Sequence, residues 1–203
     1  MIRIEKLSFV YKDKHYIHYN RDLNLEKGSV LLITGKSGSG KTTLCEILAK
    51  QHKITSGKIF FQDKDIEIIK DNDYFSKIHF LKQNPHHNFI GLNPTRDFLL
   101  WNQKEKLPQF FECLDKYQLL DKKEDLLWKM SFGEQKCLFF SYLEILKRNL
   151  WVLDEPLEGV DPRRKELFLE TCQQHIATGG SALITSHRTD HYQSLNPKVI
   201  SFE

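Results

Sequence analysis

The stretch VLLITGKSGSGKTTLCEILAK, residues 30–50, contains three parts of different character. Residues 30–34 form a continuous apolar run, as expected of a strand that is buried on both faces. Glycines follow at once, and residues 42–50 then have a helical composition. The stretch therefore predicts a buried strand, a glycine-rich loop and a helix, in that order.

The loop in the middle fits the pattern G-x-x-x-x-G-K-[ST], whose glycines let backbone N–H groups turn inward around a chain of phosphates. Lys41 is expected to reach the β- and γ-phosphates, and Thr42 to offer a hydroxyl to Mg²⁺. The alternative, a chance match, has odds on the order of one in a hundred for this length. The prediction is Mg-ATP binding by a loop comprising Gly35, Lys36, Ser37, Gly38, Ser39, Gly40, Lys41, Thr42 and Thr43.

A second apolar run, residues 150–153, delivers the carboxylates of Asp154 and Glu155 at its carboxyl end. Open α/β sheets bind ligands at that end of their strands. Asp154 is expected to hold Mg²⁺, and Glu155 to orient or deprotonate the attacking water. The alternative is that Asp-Glu-Pro merely ends a strand and starts a turn, which the upstream loop makes less favourable.

The rest of the chain alternates predicted strands and helices. Antiparallel strands open it, and a further β segment at residues 58–61 precedes a turn at 63–65 and a weaker strand candidate at 66–69. A helical insertion is predicted over about 85–131. Three more elements complete the prediction: a helix from Gly133 to about Arg148, a helix from Asp161–Pro162 to Gly179–Gly180, and a strand at 182–185. This order predicts a mainly parallel sheet covered by helices.

Length and composition indicate a single domain spanning residues 1–203 and exclude several classes of protein. Apolar runs fall far short of the ~20 residues that span a bilayer, and the amino terminus lacks a secretory pattern, so we expect a cytoplasmic chain. The net charge of +3 is spread without a basic face, so no nucleic acid is expected. Four scattered cysteines and the histidines at 86–87, 187 and 191 lack the spacing of a zinc site.

The segment MSFGEQ, residues 130–135, resembles the signature sequence of the ATP-binding-cassette (ABC) family. Gln83 after an apolar segment, residues 156–161 after the acidic pair, and His187 after residues 184–186 complete the family order over essentially the whole chain. The resemblance implies a P-loop NTPase of the ABC ATPase fold. That fold has a mainly parallel core sheet, an amino-terminal antiparallel β subdomain and an inserted helical subdomain.

The resemblance also implies roles inside one protomer. Tyr11 would stack on adenine, although an aromatic residue that covers the core of a strand is the alternative. Gln83 would sense Mg²⁺ and water where the helical insertion begins. His187 would contact the γ-phosphate and help position Glu155, so that Lys41, Gln83, Glu155 and His187 form the expected catalytic set.

Other implied roles require a second ATPase subunit. Ser131 and Gly133 would begin a helix that grips the γ-phosphate bound to the opposite protomer, and Asp161 would cross the same interface. Two departures from the family pattern, Phe132 for the usual first glycine and Glu134 for the usual glutamine, predict weaker or asymmetric closure on ATP. The apolar start of the same helix, residues 136–140, predicts tight burial against the helical insertion.

Within the family, residues 83–91 and 95–98, together with Phe132, are similar to energy-coupling-factor ATPases, which import cobalt and vitamins. The chain ends soon after His187, as does the haem-exporter ATPase of cytochrome c maturation. The resemblance implies an ATPase on the cytoplasmic face of the membrane that pairs with a second cassette and a transmembrane subunit to import a micronutrient. An exporter cassette, a soluble ABC ATPase and a non-hydrolysing binder are the alternatives.

Overall fold

In the computed structural model the described residues are 1–10, 16–18 and 22–202, and only the backbone is described for Val10 and residues 16–18. The strands are β1 Ile2–Val10, β2 Tyr16–His18, β3 Leu23–Leu25, β4 Val30–Gly35, β5 Ser56–Phe61, β6 Lys64–Asp65, β7 Ile78–Leu81, β8 Leu150–Asp154, β9 Ser181–Thr185 and β10 Lys198–Phe202. The α-helices are α1 Lys41–Leu48, α2 Asp71–Phe75, α3 Pro94–Leu99, α4 Leu107–Lys116, α5 Phe132–Leu146 and α6 Pro162–Ala177.

The central sheet is parallel throughout, with the strand order β10-β4-β9-β8-β7. Every residue of β8 and β9 is buried, because helices cover both faces of a parallel sheet. All five strands end at the same edge, and the loop after β4 and the turn after β8 therefore lie close together. The predicted parallel sheet is confirmed.

A second, antiparallel sheet is built around β1, which pairs with β2 and β3 and with β5. β5 and β6 form a tight hairpin whose connecting residues, Gln62 and Asp63, both have positive φ, as two-residue hairpin turns require. The expected turn at 63–65 therefore lies at 62–63, and Lys64–Asp65 is a strand. Residues 66–69 form a turn instead of the expected strand, because the Glu67 N–H donates to the Asp65 carboxylate and the Ile68 N–H donates to the Asp65 carbonyl.

Residues 82–131, between β7 and α5, contain α3, α4 and short 3₁₀ helices. Their apolar side chains pack on α5 through stacked and tilted aromatic rings. The ring centroids of Phe98 and Phe110 lie 4.2 Å apart, and those of Phe110 and Tyr142 lie 5.4 Å apart. α5 is buried from Gln135 to Leu143, as the apolar composition of its start predicted. The helical character of this region and the tight burial of α5 are confirmed.

The two longest described helices lie where the sequence predicted, although α5 ends at Leu146 and α6 at Ala177, shortly before the expected ends. A reciprocal pair of hydrogen bonds between Ser131 and Glu134 caps the start of α5. Asp161 caps α6, Pro162 is its first residue, and Gly179 beyond its end has a φ of 87°. Among the described helices none is long and apolar enough to cross a membrane.

Candidate functional site

The loop between β4 and α1 has a backbone that only glycine adopts easily. Gly35 has a φ of 144°, and a Cβ there would lie 2.2 Å from the carbonyl oxygen of Phe202 on the neighbouring strand. Gly38 and Gly40 have φ values of 82° and 92°, and Gly40 precedes the first turn of α1. The loop therefore presents backbone N–H groups, and the positive end of a helix, to the space above the sheet.

Lys41 is buried at the centre of this loop. Its ammonium group donates to the carbonyl oxygens of Gly35 at 2.8 Å and Lys36 at 3.0 Å. These partners are neutral, and a phosphate anion is a stronger partner for an ammonium group than a carbonyl. The loop thus holds a cation for which the described part of the chain supplies no ion-pair partner.

Asp154 ends β8 opposite the loop and is buried. Its Oδ1 accepts a hydrogen bond of 2.5 Å from the hydroxyl of Thr185, while Oδ2 is buried without a partner of regular hydrogen-bond geometry. Burial raises the pKa of this carboxyl group, and the hydroxyls of Thr185 and Thr42 act in the opposite direction. An unsatisfied carboxylate oxygen beside the exposed Thr42 is a suitable donor set for a hard cation.

Glu155 follows in a left-handed conformation, with a φ of 48°, which is uncommon for a residue with a side chain. Its N–H donates to the carbonyl and hydroxyl oxygens of Thr185, which hold this conformation. Its Oε2 accepts a hydrogen bond from the His187 N–H at 3.4 Å, and Oε1 lies 3.3 Å from the His187 Nε2 without hydrogen-bond alignment. Burial raises the pKa of Glu155, and His187 opposes that shift.

A cavity of about 260 Å³ joins these groups. Gln83, two residues beyond β7, reaches it from the side opposite the phosphate loop. The cavity therefore brings together the predicted catalytic and metal-binding residues. Its lining comprises Ser37, Gly38, Gly40, Lys41, Thr42, Thr43, Gln83, Asp154, Glu155 and His187.

The predicted loop residues Gly35, Lys36 and Ser39 are not among the lining residues. Ser131, Gly133 and Asp161 also lie outside the cavity, at the starts of helices. The Ser131 hydroxyl accepts from the Glu134 N–H at 3.2 Å, and Gly133 forms the next part of α5. Asp161 accepts from the Arg164 N–H at 3.1 Å. Tyr11, the predicted adenine contact, lies outside the described residues.

The sequence analysis missed two residues that contact Asp154 and Glu155. Thr185 contacts both Asp154 and Glu155, and the only sequence signal for it is a polar residue that ends an apolar strand. Lys136 is buried and donates to the Glu155 carbonyl at 2.7 Å. Its signal is a lone cation within the apolar start of α5.

A glycine-rich loop surrounds a buried lysine at the sheet edge where β8 ends in two carboxylates. This combination defines the class of P-loop nucleoside triphosphatases. Within that class, the sequence pattern of the ABC transporter family matches residues 19–158, and the chain belongs to this family. It is an ABC ATPase domain, and ABC ATPases bind and hydrolyse ATP.

Relatives support this assignment over nearly the full chain. A Clostridium tetani protein named as an ABC transporter ATP-binding protein is 28% identical over 94% of this chain, which spans 44% of that relative. The cytochrome c biogenesis ATP-binding export protein CcmA of Photobacterium profundum is 26% identical over 93% of both chains.

The fold is also that of solved cassettes. The structure of cbiO1 from Clostridium perfringens, described as part of the ABC transporter complex cbiONQ, matches with a TM-score of 0.79. The alignment covers 100% of this chain and 84% of that one at 21% identity. This likeness confirms the predicted ABC ATPase fold.

Proposed function

We propose that this chain is the ATP-hydrolysing subunit of a membrane transporter, acting as one domain over residues 1–203. The observation that carries the proposal is the single cavity that joins the phosphate loop to Glu155 and His187. Membership of the ABC transporter family supports the coupling of this site to transport.

The donors at the cavity fit Mg²⁺ bound with ATP. The Thr42 hydroxyl, the unsatisfied Oδ2 of Asp154 and the side-chain amide of Gln83 are oxygen donors, which Mg²⁺ prefers. When bound, the ion neutralises charge that develops on the β- and γ-phosphates. Lys41 then leaves the loop carbonyls and binds these phosphates.

Glu155 is placed to accept a proton from the attacking water. Its buried position and raised pKa make the ionised carboxylate a stronger base than an exposed glutamate. His187 holds the carboxylate from the end of β9 and faces the cavity, where it can also contact the γ-phosphate. Gln83 orients water and the metal ion from the far side.

A second cassette completes the site. Ser131 and Gly133 at the start of α5, with Asp161 at the start of α6, would bind the nucleotide held by the opposite protomer. The Ser131 hydroxyl accepts the capping bond from the Glu134 N–H, and its proton, which faces the Glu134 carboxylate, would turn to a phosphate oxygen when ATP is bound. Phe132 beside it is 50% exposed, and Glu134 is held by Lys122, which supports weaker or asymmetric closure.

The transmembrane partner would bind beside Gln83, on a surface built from residues 90–92 and 127–128. The Leu127 N–H donates to the Leu92 carbonyl at 3.1 Å and joins the two segments. Ile90 is 88% exposed, and Leu92 and Trp128 are also exposed. Exposed apolar clusters of this kind favour protein–protein contact. The proposal places the chain on the cytoplasmic face of the cell membrane.

For the transported cargo, we propose uptake of a micronutrient, a metal ion or a vitamin, by an energy-coupling-factor transporter. Residues 83–91 and Phe132 carry this assignment through their resemblance to that branch. An exporter cassette is the second candidate, favoured by the match to CcmA over 93% of both chains.

The test is affinity purification of the tagged chain from its native membranes, followed by mass spectrometry of its partners. A second cassette with a vitamin- or metal-binding membrane protein is the expected result. Recovery of a haem-export membrane protein would select the exporter. Recovery of the chain without any membrane protein would contradict the transport proposal. The ATPase activity of the chain is measured in a separate assay and does not depend on that outcome.

A further inference from the structure

Lys136 is the fifth residue of α5 and only 1% exposed. Its ammonium group donates to two backbone carbonyls, those of Glu155 at 2.7 Å and Glu158 at 2.8 Å. Among the described residues no carboxylate lies within ion-pair distance of it. A buried cation without a direct counter-ion is costly, and methionine or leucine would fill the same space without that cost.

The two carbonyls belong to the turn that carries the catalytic carboxylate. The Glu158 N–H bonds to the Glu155 carbonyl at 3.3 Å, which closes the turn. Glu155 has a left-handed backbone, which is unfavourable for a residue with a side chain and persists where the surroundings hold it in place. The Lys136 ammonium group donates to the carbonyls at both ends of this turn, while the Thr185 hydroxyl accepts from the Glu155 N–H.

A second contact joins the same helix to the same segment. A Cβ on Gly133 would lie 2.4 Å from the carbonyl oxygen of Gly159, so the start of α5 packs directly against this backbone. One turn of α5 therefore contacts residues 155–159 at two places, through Gly133 and through Lys136. The Lys136 contact is the polar one of the two. Its two hydrogen bonds satisfy carbonyls in a region that the buried side chains of Leu157 and Val160 make apolar.

We propose that Lys136 is a positioning residue for ATP hydrolysis, which fixes the backbone of Glu155 so that its carboxylate faces the attacking water. This inference rests on the proposed catalytic role of Glu155. Lys136 contacts the backbone of the turn and is not among the residues that line the nucleotide cavity. Loss of the amine is therefore expected to lower kcat and to leave ATP affinity intact.

The test compares Lys136→Met, Lys136→Gln and Lys136→Arg in the full chain. Steady-state hydrolysis of Mg-ATP gives kcat, and titration with Mg-ATP at low temperature gives the dissociation constant and the number of sites. Lys53→Met, at an exposed position away from the site, is the control for removal of a cation. We expect Lys136→Met to lower kcat per bound nucleotide at least tenfold, with the dissociation constant changed less than twofold.

The three variants also separate positioning from folding. Lys136→Arg, which keeps donors and charge, is expected to recover much of kcat, and Lys136→Gln to fall between Arg and Met. If Lys136→Met unfolds, the same ranking between Arg and Gln decides the question. Equal kcat per bound nucleotide in all folded variants would overturn the proposal. A wild-type chain that shows no turnover even with the second cassette that copurifies with it would instead overturn the proposed ATPase role itself.

Discussion

His187 contacts both oxygens of the Glu155 carboxylate: its N–H donates to Oε2 at 3.4 Å, and its Nε2 lies 3.3 Å from Oε1. One residue at the end of β9 thus holds the side chain that follows β8. The contact joins the residues that follow the neighbouring strands β8 and β9, at the sheet edge where the phosphate loop begins. The orientation and the acidity of Glu155 therefore depend on His187.

His187→Ala tests this dependence. The His187 side chain lowers the pKa of Glu155, so its removal raises that pKa and shifts the acid limb of the kcat–pH profile to higher pH. We also expect kcat to fall by about ten- to a hundredfold at neutral pH, because the carboxylate loses the imidazole beside Oε1 and keeps only the backbone N–H at Oε2. His87→Ala, at an exposed histidine, should leave the profile unchanged. An acid limb that stays in place in His187→Ala would contradict the account.

Lys41→Ala tests the phosphate loop. The variant removes the lysine that we place on the β- and γ-phosphates, and a hydrogen bond to a charged group is worth about 1.5–3 kcal/mol. The expected loss of Mg-ATP affinity is therefore about ten- to more than a hundredfold by isothermal titration calorimetry. Lys64→Ala removes a cation from the antiparallel sheet and should retain wild-type affinity. Equal affinities in the two variants would rule out the assigned role.

Glu155→Gln should make the nucleotide-free protein more stable at neutral pH. Burial raises the pKa of Glu155, so the ionised carboxylate destabilises the fold at every pH above its folded pKa. Below the unfolded pKa of about 4.3 the group is protonated in both states, and the penalty disappears. The melting temperature of Glu155→Gln should exceed that of wild type at pH 7.5, and the difference should shrink as the pH falls. A lower melting temperature for the variant at pH 7.5 would refute this.

Tyr142→Phe tests the polar link beneath the proposed docking surface. Asp97 accepts from the N–H groups of Ile90 and Gly91 at 2.8 and 2.7 Å and from the Tyr142 hydroxyl at 2.8 Å. Removal of a bond to a buried charged group should cost about 1.5–3 kcal/mol of unfolding free energy, measured by urea denaturation. The matched control is Tyr74→Phe.

Tyr74 is also buried, and its hydroxyl donates to the neutral carbonyl of Leu48 at 2.7 Å. Its loss should cost only about 0.5–1.5 kcal/mol. If Tyr74→Phe loses as much unfolding free energy as Tyr142→Phe, or more, the hydrogen bond from Tyr142 to Asp97 is not strengthened by the charge of Asp97.

The sequence predicted the parts of the site that local patterns encode. Residues 30–50 specify a strand, a loop and a helix through their own composition, and the acidic pair follows an apolar run that can only be a buried strand or helix. The antiparallel hairpin was misplaced because Gln62 and Asp63 adopt positive φ, although neither is the glycine that usually marks such a turn.

Contacts between distant segments could not be predicted from such patterns. Thr185 meets Asp154 across a distance of 31 residues in the chain, and Lys136 meets Glu155 across 19. Both contacts depend on strand register and on the packing of α5, which a single sequence does not reveal. The resemblance to the ABC family supplied the order of the motifs but assigned no role to either residue.

The most direct test of the central claim is the rate of Mg-ATP hydrolysis by the wild-type chain and by Glu155→Gln, with nucleotide affinity measured on the same samples. General-base catalysis contributes about a hundredfold or more, so kcat should fall by at least that factor while the dissociation constant for Mg-ATP changes only a few-fold. Hydrolysis by Glu155→Gln at the wild-type rate would contradict the assignment of Glu155 as the catalytic base.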